Sequence, residues 1–139
     1  MESALKVVLF LTGSVIVWLG LDVGLGGIRT LGWQDDRNFF EVTDPEAFAI
    51  KDNHMRFIAG VWTTVGLLMI AGVFALKAMR PVLMALVAMV FVGGLMRFSS
   101  GDPSLVLSSK IAPSLFGELV VFPLLGLWIH AATKKHAQV

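Results

Sequence analysis

Residues 52–72, DNHMRFIAGVWTTVGLLMIAG, decide how the chain folds. A polar knot, Asp52-Asn53-His54 and then Arg56, runs into an uncharged apolar segment that continues to Leu76. About 20 consecutive apolar residues are what an α-helix needs to cross the hydrocarbon core of a bilayer. Arg56 stands at the mouth of that helix, Gly60 follows one turn on, and Thr63 and Thr64 one turn after that. The spacing predicts a small, polar helix face with Ile, Val, Leu and Met on its back. Such a face packs against other helices, and an arginine on it needs an anionic partner.

Composition carries the same reading to the whole chain. Of 139 residues, 56% are hydrophobic and 15% charged, against about 45–50% and about 25% in a soluble domain. Mean hydropathy is +0.80, and the charges cluster between apolar runs, as in an integral membrane protein of one domain. A net charge of +1 gives no nucleic-acid footprint, so no nucleic-acid partner is expected. The absence of cysteine excludes disulfides, thiol catalysis, iron–sulfur clusters and thiolate zinc sites.

The first apolar run, Val7 to Leu21, extends past Asp22 to Ile28. Its length, and the weak basic start left by Glu2 and Lys6, favour a retained helix over a cleaved signal peptide. Residues 29–51 are the long polar connection. There NFFEV suits the interface, Thr43-Asp44-Pro45-Glu46 reads as a turn and helix start, and AFAIKDNHMRF as an amphipathic lead into helix 2. Pro81 opens helix 3, with Gly93 and Gly94 allowing close approach. A Gly101-Asp102-Pro103 turn follows. In helix 4, Pro123 has no amide hydrogen for the Leu119 carbonyl, so an irregular turn is expected just beyond Glu118.

The expected architecture is therefore all-α: an integral membrane four-helix bundle, antiparallel up-down-up-down, with one longer periplasmic loop between helices 1 and 2. The helices are placed at about 4–28, 54–78, 81–98 and 112–133 in one transmembrane domain, 1–139. Lys6, the Lys77/Arg80 turn and the Lys134/Lys135 tail fall on one side, which puts both termini in the cytoplasm.

With that topology Asp22, Arg56, Arg97 and Glu118 come to one depth on the outer side. Asn53 and His54 lie just above them, Thr63 and Thr64 just below. Sequence alone does not fix the pairing; helix order puts Asp22 with Arg56 and Arg97 with Glu118 first, ahead of the crossed pairs. Two readings compete. The charges lock helix order and register, or they line an outward-facing cavity for a small polar or lipid-like ligand. Catalysis would draw an acid/base pair from Asp22, Glu118 and His54, but no nucleophile motif accompanies them. His54, His130 and His136 lack metal-ligand spacing, so neither a metal nor a cofactor is expected. His130, His136 and the terminal lysines form a basic inner end that rests against anionic headgroups. Trp18 and Trp62 are read as packing and Trp33 and Trp128 as interface anchors. Met69, Met79, Met84, Met89 and Met96 are read as core filler.

The stretches DNHMRFIAGVWTTVGLL, FVGGLMRFSSGDPS and GELVVFPLLGLW resemble an uncharacterised bacterial family of small four-helix membrane proteins, a domain of unknown function that is distantly DoxX/DoxD-like. The motif residues are Asn53, Arg56, Gly60, Gly66, Gly94, Arg97, Pro103, Glu118 and Pro123. The resemblance implies the four-helix fold, its topology and a bacterial inner membrane, and it carries no established activity. The function expected is a non-enzymatic bundle that binds a small or lipid-like ligand, or supports a partner membrane protein or a second copy, among membrane lipids. The alternatives are a quinone-linked redox subunit, as some DoxD-like proteins are, or a membrane enzyme using the same pocket, and a small carrier.

Overall fold

A computed structural model of the chain describes residues 2–30 and 41–134. It contains α-helices and no strand among the described residues. Four helical stretches are long and apolar enough to cross a membrane: Glu2–Gly26, Pro45–Phe74, Arg80–Ser100 and Ala112–Lys134. Trp33, Lys135, His136 and most of the NFFEV segment lie outside the described residues.

Helix α1 (Glu2–Gly26) stops two residues short of the expected end. Gly27 takes a left-handed φ of +80°, which ends an α-helix at little cost only in glycine. Helix α2 (Pro45–Phe74) begins nine residues earlier than expected. The reason is local. The Asp44 carboxylate accepts the Glu46 and Ala47 amides at 3.1 and 3.0 Å, and Pro45 takes the first position. A capped start with proline at N1 propagates straight through the amphipathic lead into the apolar run.

The chain divides into two compact units, residues 8–70 and residues 1–7 with 71–139. In the first, α1 and α2 run antiparallel, because their contacts pair in opposite order. Gly13 lies against Gly66, Gly20 against Thr63 and Ala59, and Gly27 against Asp52. A Cβ on Gly13 would sit 2.8 Å from the Gly66 carbonyl, and one on Gly66 would sit 2.6 Å from that of Gly13. The two backbones touch there, as small residues at a membrane helix contact permit. Leu9, Ile16, Val65 and Met69 close the core of this unit.

This contact corrects one expectation. The packed face of α2 runs through Ala59, Thr63 and Gly66, whereas Gly60 and Thr64 are exposed, Thr64 bonding its hydroxyl back to the Gly60 carbonyl at 3.0 Å. Trp18 and Trp62, expected as packing, are 56% and 37% exposed. Of the five methionines read as core filler, Met69 is in the core, while Met89 and Met96 are exposed.

In the second unit, helix α3 (Arg80–Met96) continues as a 3-10 turn, Arg97–Ser100. Gly101 (φ +71°) and Asp102 then start the short helix α4 (Pro103–Val106), which buries Val106. The expected Gly-Asp-Pro turn is there. Helix α5 (Ala112–Phe116), a π-helical turn (Gly117–Val121) and helix α6 (Phe122–Lys134) form the last span. It runs antiparallel to α3. Gly94 meets Glu118 and Leu119, Val87 meets Gly126, and Arg80 meets His130. Leu83, Leu86 and Val90 of α3 and Phe122, Leu125 and Ile129 of α6 fill the core. Gly93 has open space around it, so only Gly94 of the pair serves close approach.

No polar or charged residue is fully buried among those described, while Val7, Leu11, Phe57, Phe74 and Leu127 point outward. An exterior so rich in large apolar side chains suits lipid.

Candidate functional site

Each unit holds a charged cluster near a helix end. In the first, the last turn of α1 leaves carbonyls without an intrahelical donor, as every helix C-terminus does. Arg56 Nη1 supplies them, donating to the Leu25 carbonyl at 2.7 Å and the Gly24 carbonyl at 3.2 Å. A cation there also meets the negative end of the helix dipole. The anionic partner the structure gives Arg56 is Asp52, one turn earlier on α2, with Nε to Oδ2 at 2.7 Å. The other oxygen of Asp52 accepts the Ile28 amide at 2.7 Å. Gly27 fits beneath both side chains, where a Cβ would collide with the Asp52 carboxylate and the Arg56 guanidinium. One i,i+4 pair thus ties the end of α1 to the start of α2.

Asp22, expected to pair with Arg56, is half-buried on α1, and its backbone carbonyl accepts the Thr30 hydroxyl at 3.1 Å. Asn53 and His54 are exposed, and Thr63 bonds the Ala59 carbonyl at 2.9 Å while packing on Gly20. Asp52 is the member of this cluster that the charge-by-helix argument passed over. Its spacing of four from Arg56 was the signal that could have found it.

In the second unit Arg97 and Glu118 meet as helix order suggested. Arg97 Nε donates to Oε2 at 2.6 Å and Nη2 to Oε1 at 2.5 Å, a two-pronged, charge-assisted pair. The side chains are 35% and 14% exposed. Gly94 lets α3 approach closely enough for the pair, since a Cβ there would stand 2.8 Å from that of Glu118.

Glu118 sits inside the π turn. The Phe122 amide reaches back five residues to the Gly117 carbonyl. Pro123 has no amide hydrogen to continue that pattern to the Glu118 carbonyl. The irregular turn expected from Pro123 therefore falls on the charged residue itself. The site there combines the Glu118 carboxylate, the Arg97 guanidinium and a backbone carbonyl to which Pro123 cannot donate. Such a set can recognise a group that both donates and accepts hydrogen bonds. Among the described residues no three His, Asp or Glu side chains converge as a metal site.

Residues 4–129 match the family model described as Domain of unknown function (DUF4345). The chain belongs to this family. No curated protein and no solved structure matches it. The family match spans both clusters, and the four apolar helices make this member a multi-pass membrane protein.

Proposed function

We propose that the protein is a non-enzymatic component of the bacterial inner membrane, with both termini cytoplasmic, and that it binds a small or lipid-like ligand in an outward-facing polar pocket around Arg97 and Glu118. The observation that carries this reading is the placement of the carboxylate of a partly buried carboxylate–guanidinium pair inside a π turn of a membrane-spanning helix. π turns are frequent at functional sites. Intramembrane charges mark binding paths or helix locks, and a lock alone would not require the helix to be broken at its own charged residue. This reading takes the motifs to be distantly DoxX/DoxD-like. On this reading the Arg56–Asp52 clamp is a structural part.

The test is native mass spectrometry of the purified protein beside Glu118→Gln and Asp102→Asn. A co-purifying lipid-like species lost from Glu118→Gln and kept in Asp102→Asn is the expected result. A quinone lost in the same way would transfer the site to redox work, and an empty wild-type protein would leave support of a partner protein. Orientation is tested separately. Glu41→Cys should react with an impermeant maleimide on intact spheroplasts and Lys77→Cys should not; the reverse labelling overturns the topology.

A further inference from the structure

The opposite end of the α3–α6 pair has a different chemistry. Arg80 Nη2 lies 2.7 Å from His130 Nδ1. A guanidinium is always charged and has only donors. Nδ1 must therefore accept, the ring proton sits on Nε2, and the imidazole in this contact is neutral. The charge on Arg80 is met by a dipole instead of a carboxylate.

The stretches of sequence around the two residues supply no acid. The sequence has no Asp or Glu from residue 53 to residue 101, nor after Glu118. Lys77, in the turn before α3, and Lys134, which ends α6, add positive charge, and Lys135 and His136 follow in sequence. In the same unit the start of α1 carries Glu2 and Lys6, held 2.9 Å apart. Depth is fixed by the spans. Arg80 is the first residue of one and Lys134 the last of another, with His130 one turn inside. That is the level of lipid headgroups. Arg80 is half-buried and His130 exposed, so both can be reached from the bilayer.

We propose that Arg80 and His130 form a proton-gated binding site for the phosphate of an anionic phospholipid headgroup. While the ring is neutral, its Nδ1 occupies a guanidinium donor. A proton on Nδ1 turns the acceptor into a donor and sets two cations side by side. A phosphate oxyanion accepts from both at once and removes their repulsion. By linkage, acid favours phosphate binding and bound phosphate favours the protonated ring. An anionic lipid suits the site better than a zwitterionic one, whose phosphate is already balanced by its own ammonium group.

The full chain in micelles containing equal phosphatidylcholine and phosphatidylglycerol tests this, with bound lipid counted by native mass spectrometry at about pH 5.5 and about pH 8, either side of the usual histidine range. Preference for phosphatidylglycerol should rise severalfold at the lower pH. His130→Gln should hold the higher-pH level at both, and Arg80→Gln should lose the preference at both. Independently of any variant, the His130 ring nitrogen shifts of the wild type should show protonation at a higher pH when phosphatidylglycerol replaces phosphatidylcholine. A wild-type preference indifferent to pH, a pH response that survives in His130→Gln, or a ring titration indifferent to lipid overturns the proposal. Inorganic phosphate in phosphatidylcholine micelles producing the same ring shift overturns the lipid as its source.

Discussion

Helix α3 has an arginine at each end, and the two meet opposite partners. Arg97 meets the Glu118 carboxylate through two hydrogen bonds, whereas Arg80 meets a neutral imidazole through one contact. The first pair brings its own counter-charge into the membrane. The second sets the guanidinium against a ring nitrogen that accepts when bare and donates when protonated. The same residue type, one helix apart, thus serves a fixed contact at one end and an adjustable one at the other.

The largest effect should come from breaking the fixed end. Glu118→Ala leaves a partly buried guanidinium without its carboxylate, and unfolding in detergent should register a loss of about 2–3 kcal/mol, below the cost of a fully buried pair because water reaches Arg97. Removing Arg97 as well should recover part of it, with a coupling of about 0.5–3 kcal/mol for residues in contact. Additive single changes would show that the pair contributes nothing as a pair.

The α1 clamp offers a third arginine for the comparison. Gly27→Ala meets both a left-handed φ and the Asp52 and Arg56 side chains, so a loss of about 1–2 kcal/mol is expected in the same assay. Asp52→Asn should cost less, because the amide oxygen can still accept one bond. Equal losses would mean that charge, not the αL cap, holds this corner.

At the adjustable end, His130→Gln should change stability by less than about 0.5 kcal/mol at neutral pH, since an exposed polar contact is replaced by a similar one. A larger loss would make His130 a structural residue and draw the two ends together.

The smallest effect lies beyond the spans, at Asp102. Its carboxyl is held below the usual aspartate range by the Ser104 hydroxyl at 2.6 Å and the Leu105 amide at 3.1 Å. A lowered value in the fold means that the charged form is favoured there, so the contribution is present above the unfolded-state value and lost as pH falls through the folded one. Hydrogen exchange at the Leu105 amide should accelerate relative to neighbouring amides below about pH 4. Asp102→Asn should remove that acid sensitivity.

Sequence reading located these features unevenly, for a physical reason. Charges and proline stand out against an apolar background, so Arg97, Glu118 and the irregular turn before Pro123 were legible. Which side of an apolar helix faces a neighbour was not. Lipid is as apolar as the helix contacts, so hydrophobicity does not separate the two sides as it does in water. With small residues at both 59–60 and 63–64, a one-residue difference turns the face by about 100°. The choice of Gly60 and Thr64 over Ala59 follows from that, as does the placement of Trp18 and Trp62 inside. Asp52 was missed because assigning one charge to each helix leaves no place for a pair within a single helix.

The π turn also sets a phase. It fits one residue more into its turn than an α-helix would, so the residues on either side of it are offset by about 100° from an uninterrupted helix. Leu115 before it and Leu125 and Ile129 after it are all buried across that offset. A chain one residue shorter between Gly117 and Val121 would run as plain α-helix and rotate its two halves against each other. It would then have to give up either the inward set of α5 or that of α6, with Glu118 at the seam.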